Sequence, residues 1–169
     1  QLWRQIADLG WTGVAFPESY GGTGGDFMDL AVLLEEMGRA LCPSPFFSTV
    51  VLGGMTVLDA GSDAQKQDIV TRICDGQMLM TLALTEQTAS YEAWGVEAVA
   101  TRQGDNYVLE GTKLFVPDAH VADLILVAAR TSGNTDPEKG ISLFLVPSRT
   151  SGLSVTQLST IASDRQCEV

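Results

Sequence analysis

Residues whose type suggests chemistry are few in this chain of 169 residues. His120 is the only histidine, so a Ser-His-Asp triad would have to use it, and no nucleophile-elbow motif accompanies it. The three cysteines, Cys42, Cys74 and Cys167, are far apart and form neither a CxxC pair nor a Cys/His cluster. The sequence therefore supports neither a metal site nor a disulfide framework, and reduced thiols in a cytoplasmic protein are the default expectation.

A glycine-rich segment at residues 20–26, Tyr-Gly-Gly-Thr-Gly-Gly-Asp, has the composition of a phosphate-binding loop. The Lys-Ser/Thr pair of a P-loop is absent, however, and no strand leads into the segment as a dinucleotide-binding fingerprint requires. We therefore interpret the glycine-rich residues 10–25 as a flexible loop between two helices.

Polar residues follow two apolar, strand-like runs in the second half of the chain. Residues 82–86 read Leu-Ala-Leu-Thr-Glu, and residues 107–116 read Tyr-Val-Leu-Glu-Gly-Thr-Lys-Leu-Phe-Val. Taken alone, Thr85 is a strand-end threonine that bonds its own turn. Phe115 and Pro117, taken alone, are a core aromatic residue followed by a turn proline. Together with residues 122–130, these segments resemble the flavin-facing half of the middle domain of acyl-CoA dehydrogenases.

The resemblance extends over the whole chain, because residues 17–22 also resemble the Pro-Glu-x-Tyr-Gly-Gly segment between the early helices of that family. It implies FAD as the cofactor. The hydroxyl of Thr85 and nearby backbone groups would bond the polar edge of the flavin ring, where donors favour the reduced form. The residues that the resemblance places at the cofactor are Leu84, Thr85, Tyr91, Phe115 and Pro117. Those that it places at the substrate are Ser90 and Tyr91.

Residues 87–92 depart from the family pattern. Where the family has Pro-x-Ala-Gly-Ser-Asp, this chain reads Gln-Thr-Ala-Ser-Tyr-Glu. Ser90 thus stands at the glycine position and Tyr91 at the serine position, which in the family approaches the cofactor pyrophosphate or the thioester-linked arm of the substrate. Tyr91 still offers a hydroxyl, but it is bulkier and reaches further.

Residues 113–118 also depart from the family pattern, reading Lys-Leu-Phe-Val-Pro-Asp in place of Lys-x-Trp-Ile-Thr-Asn. Phe115 would face the flavin ring with less area than Trp and without an indole donor. Pro117 replaces a flavin-bonding Thr and offers neither a hydroxyl nor an amide donor. The variant resembles bacterial members that act on sterol side chains or other bulky acyl-CoAs, some of which are heteromers with one degraded flavin site.

The resemblance implies the oxidation of an acyl-CoA thioester to the 2-enoyl-CoA, with electrons passed to an electron-transfer flavoprotein, by a homo- or hetero-oligomer. In the family, the catalytic base lies on a C-terminal helical domain, so no residue of this chain is assigned as catalytic. A non-catalytic partner subunit with a degenerate flavin site is the alternative. Flavin monooxygenases and nitroalkane oxidases share the architecture and remain a third interpretation.

Composition excludes several other classes of protein. The net charge of −11 argues against binding to nucleic acid or to an anionic membrane surface, and the hydrophobic fraction of 45% is sufficient for a folded core. No apolar run reaches the length of a membrane span, and no signal peptide is evident. Because the chain begins at Gln1 inside a helical pattern and ends at Val169 inside a strand pattern, we expect a fragment. Since the resemblance places the catalytic base outside this chain, we expect the fragment to be inactive alone.

The periodicity of apolar residues changes near residue 78. Before it, helical patterns dominate, with Asp26 and Asp63 as expected N-caps. After it, strands are expected at residues 78–85, 96–102, 107–109, 113–116, 124–129, 141–146 and 153–158. Residues 103–106, Gln-Gly-Asp-Asn, are expected to form a hairpin turn between the second and third of these strands. The sequence therefore predicts an α+β fold, with an N-terminal helical domain at residues 1–77 and an antiparallel β-barrel or sandwich domain at residues 78–169.

Overall fold

The computed structural model describes residues 1–132, 136, 138–162 and 164–169. It divides into two compact units, Gln1–Met80 and Thr81–Val169. Helices occupy the first unit, and all strands but the start of the first lie in the second. The predicted α+β class is therefore confirmed. None of the helices among the described residues is long and apolar enough to cross a membrane.

The helical unit is built from short helices and two stretches of wider, π-helical turn. The α-helices are Leu2–Asp8, Phe27–Arg39, Thr56–Ala60, Asp63–Gln65 and Thr71–Cys74. The π-helical stretches are Phe47–Met55 and Lys66–Val70, each continuing into the α-helix that follows. Because such short helices are not stable alone, the unit depends on packing of its buried apolar residues.

Two helix starts show reciprocal capping. Asp26 accepts the backbone N–H of Asp29 at 3.1 Å, and the Asp29 carboxylate accepts the N–H of Asp26 at 2.9 Å. This confirms Asp26 as an N-cap. The cap predicted at Asp63 is wrong by one residue, because the N-cap is Ser62. The Ser62 hydroxyl accepts the N–H of Gln65, and the side-chain oxygen of Gln65 accepts the N–H of Ser62.

The glycine-rich loop is pinned rather than flexible, contrary to the sequence-based interpretation. The N–H of Gly24 donates to the carbonyl of Phe16 at 3.0 Å, and the N–H of Thr23 donates to that of Gly13 at 3.0 Å. A Cβ atom on Gly22 would stand 2.0 Å from the Phe16 carbonyl oxygen. Glycine is required there for close backbone contact, not for cofactor binding.

The second unit contains an open five-stranded sheet and a three-stranded sheet. The strands are β1 (Met80–Ala83), β2 (Val99–Gln103), β3 (Asn106–Glu110), β4 (Val116–Pro117), β5 (Leu124–Arg130), β6 (Ile141–Pro147), β7 (Thr156–Gln157) and β8 (Gln166–Glu168). The larger sheet has the order β1-β5-β2-β3 with β6 on β5, and the smaller has the order β4-β8-β7. Of the predicted barrel or sandwich, the barrel is not formed by the described strands, since neither sheet closes.

The larger sheet is mostly but not wholly antiparallel. Strands β5 and β6 pair along their full length, from Leu124 opposite Pro147 to Arg130 opposite Ile141. Strands β2 and β3 form the predicted hairpin. Val99 of β2, however, pairs in parallel with Arg130 of β5. This contact brings the start of β2 to the end of β5.

The strand predicted at residues 113–116 is largely absent, since β4 contains only Val116 and Pro117. The cause is Phe115, whose φ of +55° is in the left-handed region that interrupts a strand. Val116 pairs with Cys167 and Pro117 with Gln166 of β8. Lys113 also exchanges two backbone hydrogen bonds with Val169, at 2.7 and 2.9 Å.

Candidate functional site

Two of the predicted cofactor residues are brought together by one backbone hydrogen bond. The N–H of Leu114 donates to the carbonyl of Thr85 at 2.8 Å, so the end of the β1 segment lies beside the segment that carries Phe115. Thr85 is 8% exposed, whereas Phe115 is 52% exposed. The Thr85–Leu114 hydrogen bond therefore places a nearly buried threonine beside a segment that carries an accessible aromatic ring.

The hydroxyl of Thr85 has no hydrogen-bond partner among the described residues. This differs from the strand-end interpretation, in which the hydroxyl would bond its own turn. A nearly buried hydroxyl that bonds no other group of the protein remains available as a donor. That property fits the role expected from the family resemblance.

Phe115 combines an exposed ring with a left-handed backbone conformation. Its positive φ is unusual for a bulky residue and costs on the order of 1–3 kcal/mol, which the surrounding structure must offset. Its neighbour Val116, by contrast, is fully buried at 1% exposure. Strained conformations of this kind are concentrated at functional sites.

Pro117 contacts the same part of the β unit but cannot act as a donor. Its carbonyl accepts the hydroxyl proton of Thr81 at 2.6 Å, and its ring nitrogen has no hydrogen. Only the ring remains for contact with a ligand. A flavin would fit Thr85 and Phe115, whereas at Pro117 it would find an apolar surface.

The loop of residues 87–95 holds the predicted Ser90 and Tyr91. Ser90 is half-buried and its hydroxyl accepts the N–H of Glu92 at 3.0 Å, while Tyr91 is 78% exposed. A Cβ atom on Gly95 would stand 2.7 Å from the Cβ atom of Ser90. Gly95 therefore leaves the room that the Ser90 side chain occupies.

Ser90 and Tyr91 are not joined to the first group of residues by any side-chain contact that the structure records. Neither side chain hydrogen-bonds Thr85, Phe115 or Pro117 in the described part of the chain. The predicted residues thus form two groups. The first contains Leu84, Thr85, Phe115 and Pro117, and the second contains Ser90 and Tyr91 on the neighbouring loop.

A buried ion pair adjoins Leu84 of the first group, and the sequence analysis did not predict it. Lys113 Nζ lies 2.6 Å from Glu86 Oε1, and the two side chains are 3% and 7% exposed. Lys113 Nζ also donates to the carbonyl of Leu84 at 3.1 Å. Burial lowers the pKa of the Lys113 ammonium, while the hydrogen bond and charge of Glu86 act in the opposite direction. The signal in the sequence was a lone acid and a lone base in otherwise apolar segments, because such charges are rarely buried unless paired.

His120 and the cysteines show no arrangement for catalysis. His120 is exposed, and its Nδ1 atom lies 3.8 Å from Cys167 Sγ. Burial raises the pKa of the Cys74 thiol to about 11, which keeps it protonated and unreactive. Within the described residues, no group of three or more His, Cys, Asp or Glu side chains could hold a metal ion.

Comparison with known families identifies both units. Residues 1–77 match the family described as "Acyl-CoA dehydrogenase, N-terminal domain", and residues 81–169 match "Acyl-CoA dehydrogenase, middle domain". The α+β fold agrees with this assignment. The chain belongs to the acyl-CoA dehydrogenase family.

Individual relatives cover the chain almost completely. It is 36% identical over 159 residues to the probable acyl-CoA dehydrogenase YngJ of Bacillus subtilis, covering 92% of this chain and 42% of that protein. Among solved structures, the Tcur3481-Tcur3483 steroid ACAD superposes with a TM-score of 0.88 at 31% identity, covering 98% of this chain and 43% of that one. The ChsE4-ChsE5 complex of Mycobacterium tuberculosis gives a TM-score of 0.85 at 29% identity, covering 98% and 43%. The chain therefore spans less than half the length of these relatives.

Proposed function

We propose that this chain is part of a longer FAD-dependent acyl-CoA dehydrogenase. The enzyme would oxidise an acyl-CoA thioester to the 2-enoyl-CoA and pass the electrons to an electron-transfer flavoprotein. The observation that supports this most directly is the Thr85–Leu114 backbone bond, which sets the unpartnered Thr85 hydroxyl beside the segment of the exposed Phe115 ring. Family membership supplies the reaction class.

Each residue would have a limited task in this function. FAD, when bound, supplies the acceptor for the hydride that leaves the β-carbon of the substrate. The Thr85 hydroxyl would donate to the polar edge of the ring, and Phe115 would pack against its face. Leu84 would contribute through its backbone groups, and its carbonyl also accepts a hydrogen bond from Lys113 Nζ at 3.1 Å. Ser90 and Tyr91 would bind the pyrophosphate or the acyl-CoA arm.

The catalytic base is expected on a part of the protein outside this chain, so we propose that the 169 residues alone are inactive. A cytoplasmic homo- or hetero-oligomer is part of the same proposal. Visible absorbance during FAD titration of the longest form of the protein tests it. Saturable binding at one flavin per chain is expected, and the absence of any bound flavin would contradict the dehydrogenase assignment.

A non-catalytic partner subunit is the second candidate. Pro117 and Tyr91 favour it, because one removes a donor and the other adds bulk where the family has a small residue. Solved relatives include a complex of two named components, ChsE4 and ChsE5. In this case the protein would bind flavin only when the Pro117→Thr substitution restores a hydroxyl, and full flavin occupancy without the substitution would exclude it.

A further inference from the structure

The buried charges of the β unit converge on the base of the loop that carries Ser90 and Tyr91. The Glu86 carboxylate accepts the backbone N–H groups of Glu97 and Ala98, with distances of 3.0 to 3.2 Å. Glu86 is the residue before the loop, and the two N–H groups follow it. One side chain therefore joins both ends of the loop.

The other side of the loop base is held by a cation. Arg130 Nε donates to the carbonyl of Val96 at 2.6 Å, and Arg130 Nη2 donates to the carbonyl of Ala93 at 2.9 Å. Carbonyls and N–H groups of residues 93–98 are thus fixed by a guanidinium and a carboxylate. Because these bonds involve only backbone atoms of the loop, the loop side chains can vary while its base stays in place.

The same carboxylate is linked to the cofactor-facing segments through Lys113. The ammonium bonds Glu86 at 2.6 Å and the Leu84 carbonyl at 3.1 Å, and Lys113 lies two residues before Phe115. Displacement of Lys113 would therefore move the segments of Thr85 and Phe115 relative to each other. We call the set Glu86, Lys113, Glu97, Ala98 and Leu84 the ionic junction.

A purely structural junction would not require charge, since a buried ion pair often contributes no more stability than apolar residues of the same volume. Charged hydrogen bonds are stronger than neutral ones and have a defined geometry. The Glu86 carboxylate accepts from Lys113 and from two backbone N–H groups, so these bonds fix the position of each segment. We propose that Glu86 and Lys113 are positioning residues that hold Thr85 and Phe115 in the arrangement that binds flavin, and this rests on the proposed function.

The test compares Glu86→Gln with the unsubstituted protein, in the longest form of the protein. The control is Asp136→Asn, which disrupts the exposed Lys139–Asp136 pair at 3.0 Å in the same unit. At saturating FAD we expect Glu86→Gln to shift the flavin absorbance maximum and midpoint potential. In a titration we expect it to weaken FAD binding by on the order of tenfold, by analogy with the loss of outer-shell partners at metal sites. The control should change none of these.

A folded Glu86→Gln protein with unchanged potential, absorbance and FAD affinity would overturn the proposal. If that variant does not fold, the double variant Glu86→Gln/Lys113→Met replaces it, because it leaves neither charge buried without its partner. The same shifts are expected of it, and the same lack of change would overturn the proposal.

A second readout separates this inference from the proposed function. Amide hydrogen exchange without ligand should accelerate at Leu114 and Ala98 in Glu86→Gln but not in Asp136→Asn. If the unsubstituted protein binds no FAD, the proposed function and the flavin role of the junction both fail. Faster exchange at the two amides would then still establish the coupling of the segments, and unchanged exchange would refute that as well.

Discussion

Among the described residues, the buried polar side chains of the helical unit are all neutral, whereas those of the β unit include the charged Glu86 and Lys113. The buried hydroxyl of Thr49 accepts the N–H of Met80 at 3.1 Å and donates to its carbonyl at 3.2 Å. In the β unit, Glu86 performs a similar task for Glu97 and Ala98, but as a carboxylate. A neutral hydroxyl costs little to bury when bonded, whereas a charge requires a partner.

This difference predicts which buried positions can be substituted with a local effect. A buried hydroxyl such as that of Thr49 joins two parts of the backbone and needs no second side chain as a partner. The charged anchors are coupled, because Glu86 needs Lys113, and Lys113 lies in the segment that ends at Phe115. A change at one member of the charged set should therefore spread further than a change at a hydroxyl.

Lys113→Met should have the largest effect on stability. It removes the ammonium and leaves the Glu86 carboxylate, 7% exposed, without its counter-charge. We expect a loss of about 3–5 kcal/mol in the free energy of unfolding, measured by urea denaturation. Glu86→Gln/Lys113→Met should recover part of that loss. A loss below about 1 kcal/mol, as for an exposed pair, would show that the charged pair is no more sensitive to substitution than a buried hydroxyl.

A titration of Cys74 tests whether a buried side chain of the helical unit is held in its neutral form. Burial, with a smaller contribution from Asp75, raises the pKa of the thiol from 9.0 to about 11. Below pH 9 both the folded and unfolded states are protonated, so the stability is complete. Between pH 9 and 11 only the unfolded state releases the proton, and stability should fall by about 2–3 kcal/mol.

Urea unfolding at pH 8 and pH 11 measures this loss. Cys74→Ala is the matched control, since it is less stable at both pH values but lacks the thiol proton, so its stability should depend less on pH. An equal pH dependence in both proteins would mean that the thiol is not responsible and that other groups titrate.

Thr49→Val probes the neutral anchor itself. The substitution keeps the shape of the side chain but leaves the N–H and carbonyl of Met80 without this partner, at a position where Thr49 is 0% exposed. We expect a loss of about 1–3 kcal/mol. Thr56→Val is the control, because its hydroxyl bonds only the Leu52 carbonyl within its own helix. If Thr49→Val cost as much as Lys113→Met, the comparison between neutral and charged anchors would fail.

Local signals in the sequence predicted much of the fold. Asp26 could be recognised as a cap because the cap and its partner Asp29 are three residues apart. The hairpin of β2 and β3 followed from its turn residues. The cap at Ser62 was missed by one residue because Ser62 and Asp63 both have suitable side chains, and only the backbone conformation distinguishes them.

Interactions between distant residues could not be read in the same way. Glu86 and Lys113 are 27 residues apart, and their pairing depends on how the segments meet in the folded unit. The left-handed conformation of Phe115 has no local cause such as a glycine, so an extended strand was expected there. The choice between a barrel and a sandwich stayed open, because strand count and spacing do not determine whether the outermost strands meet. The roles of Leu84, Thr85, Ser90, Tyr91, Phe115 and Pro117 toward a ligand stay predictions.

The smallest effect on stability should come from Tyr91→Ser. Tyr91 is 78% exposed on a loop whose base is fixed through backbone atoms alone, so the free energy of unfolding should change by less than about 0.5 kcal/mol. FAD binding should respond differently, because serine restores the short hydroxyl of the family pattern, and one added hydrogen bond is worth about 1 kcal/mol, or roughly fivefold in Kd. Tyr91→Ala removes the bulk without adding a hydroxyl and is the matched control. Tighter FAD binding by the Ser variant than by the Ala variant would assign the gain in affinity to the hydroxyl. Equal gains would assign it to the removal of the ring. A large loss of stability in either variant would contradict a loop whose base is held independently of its side chains.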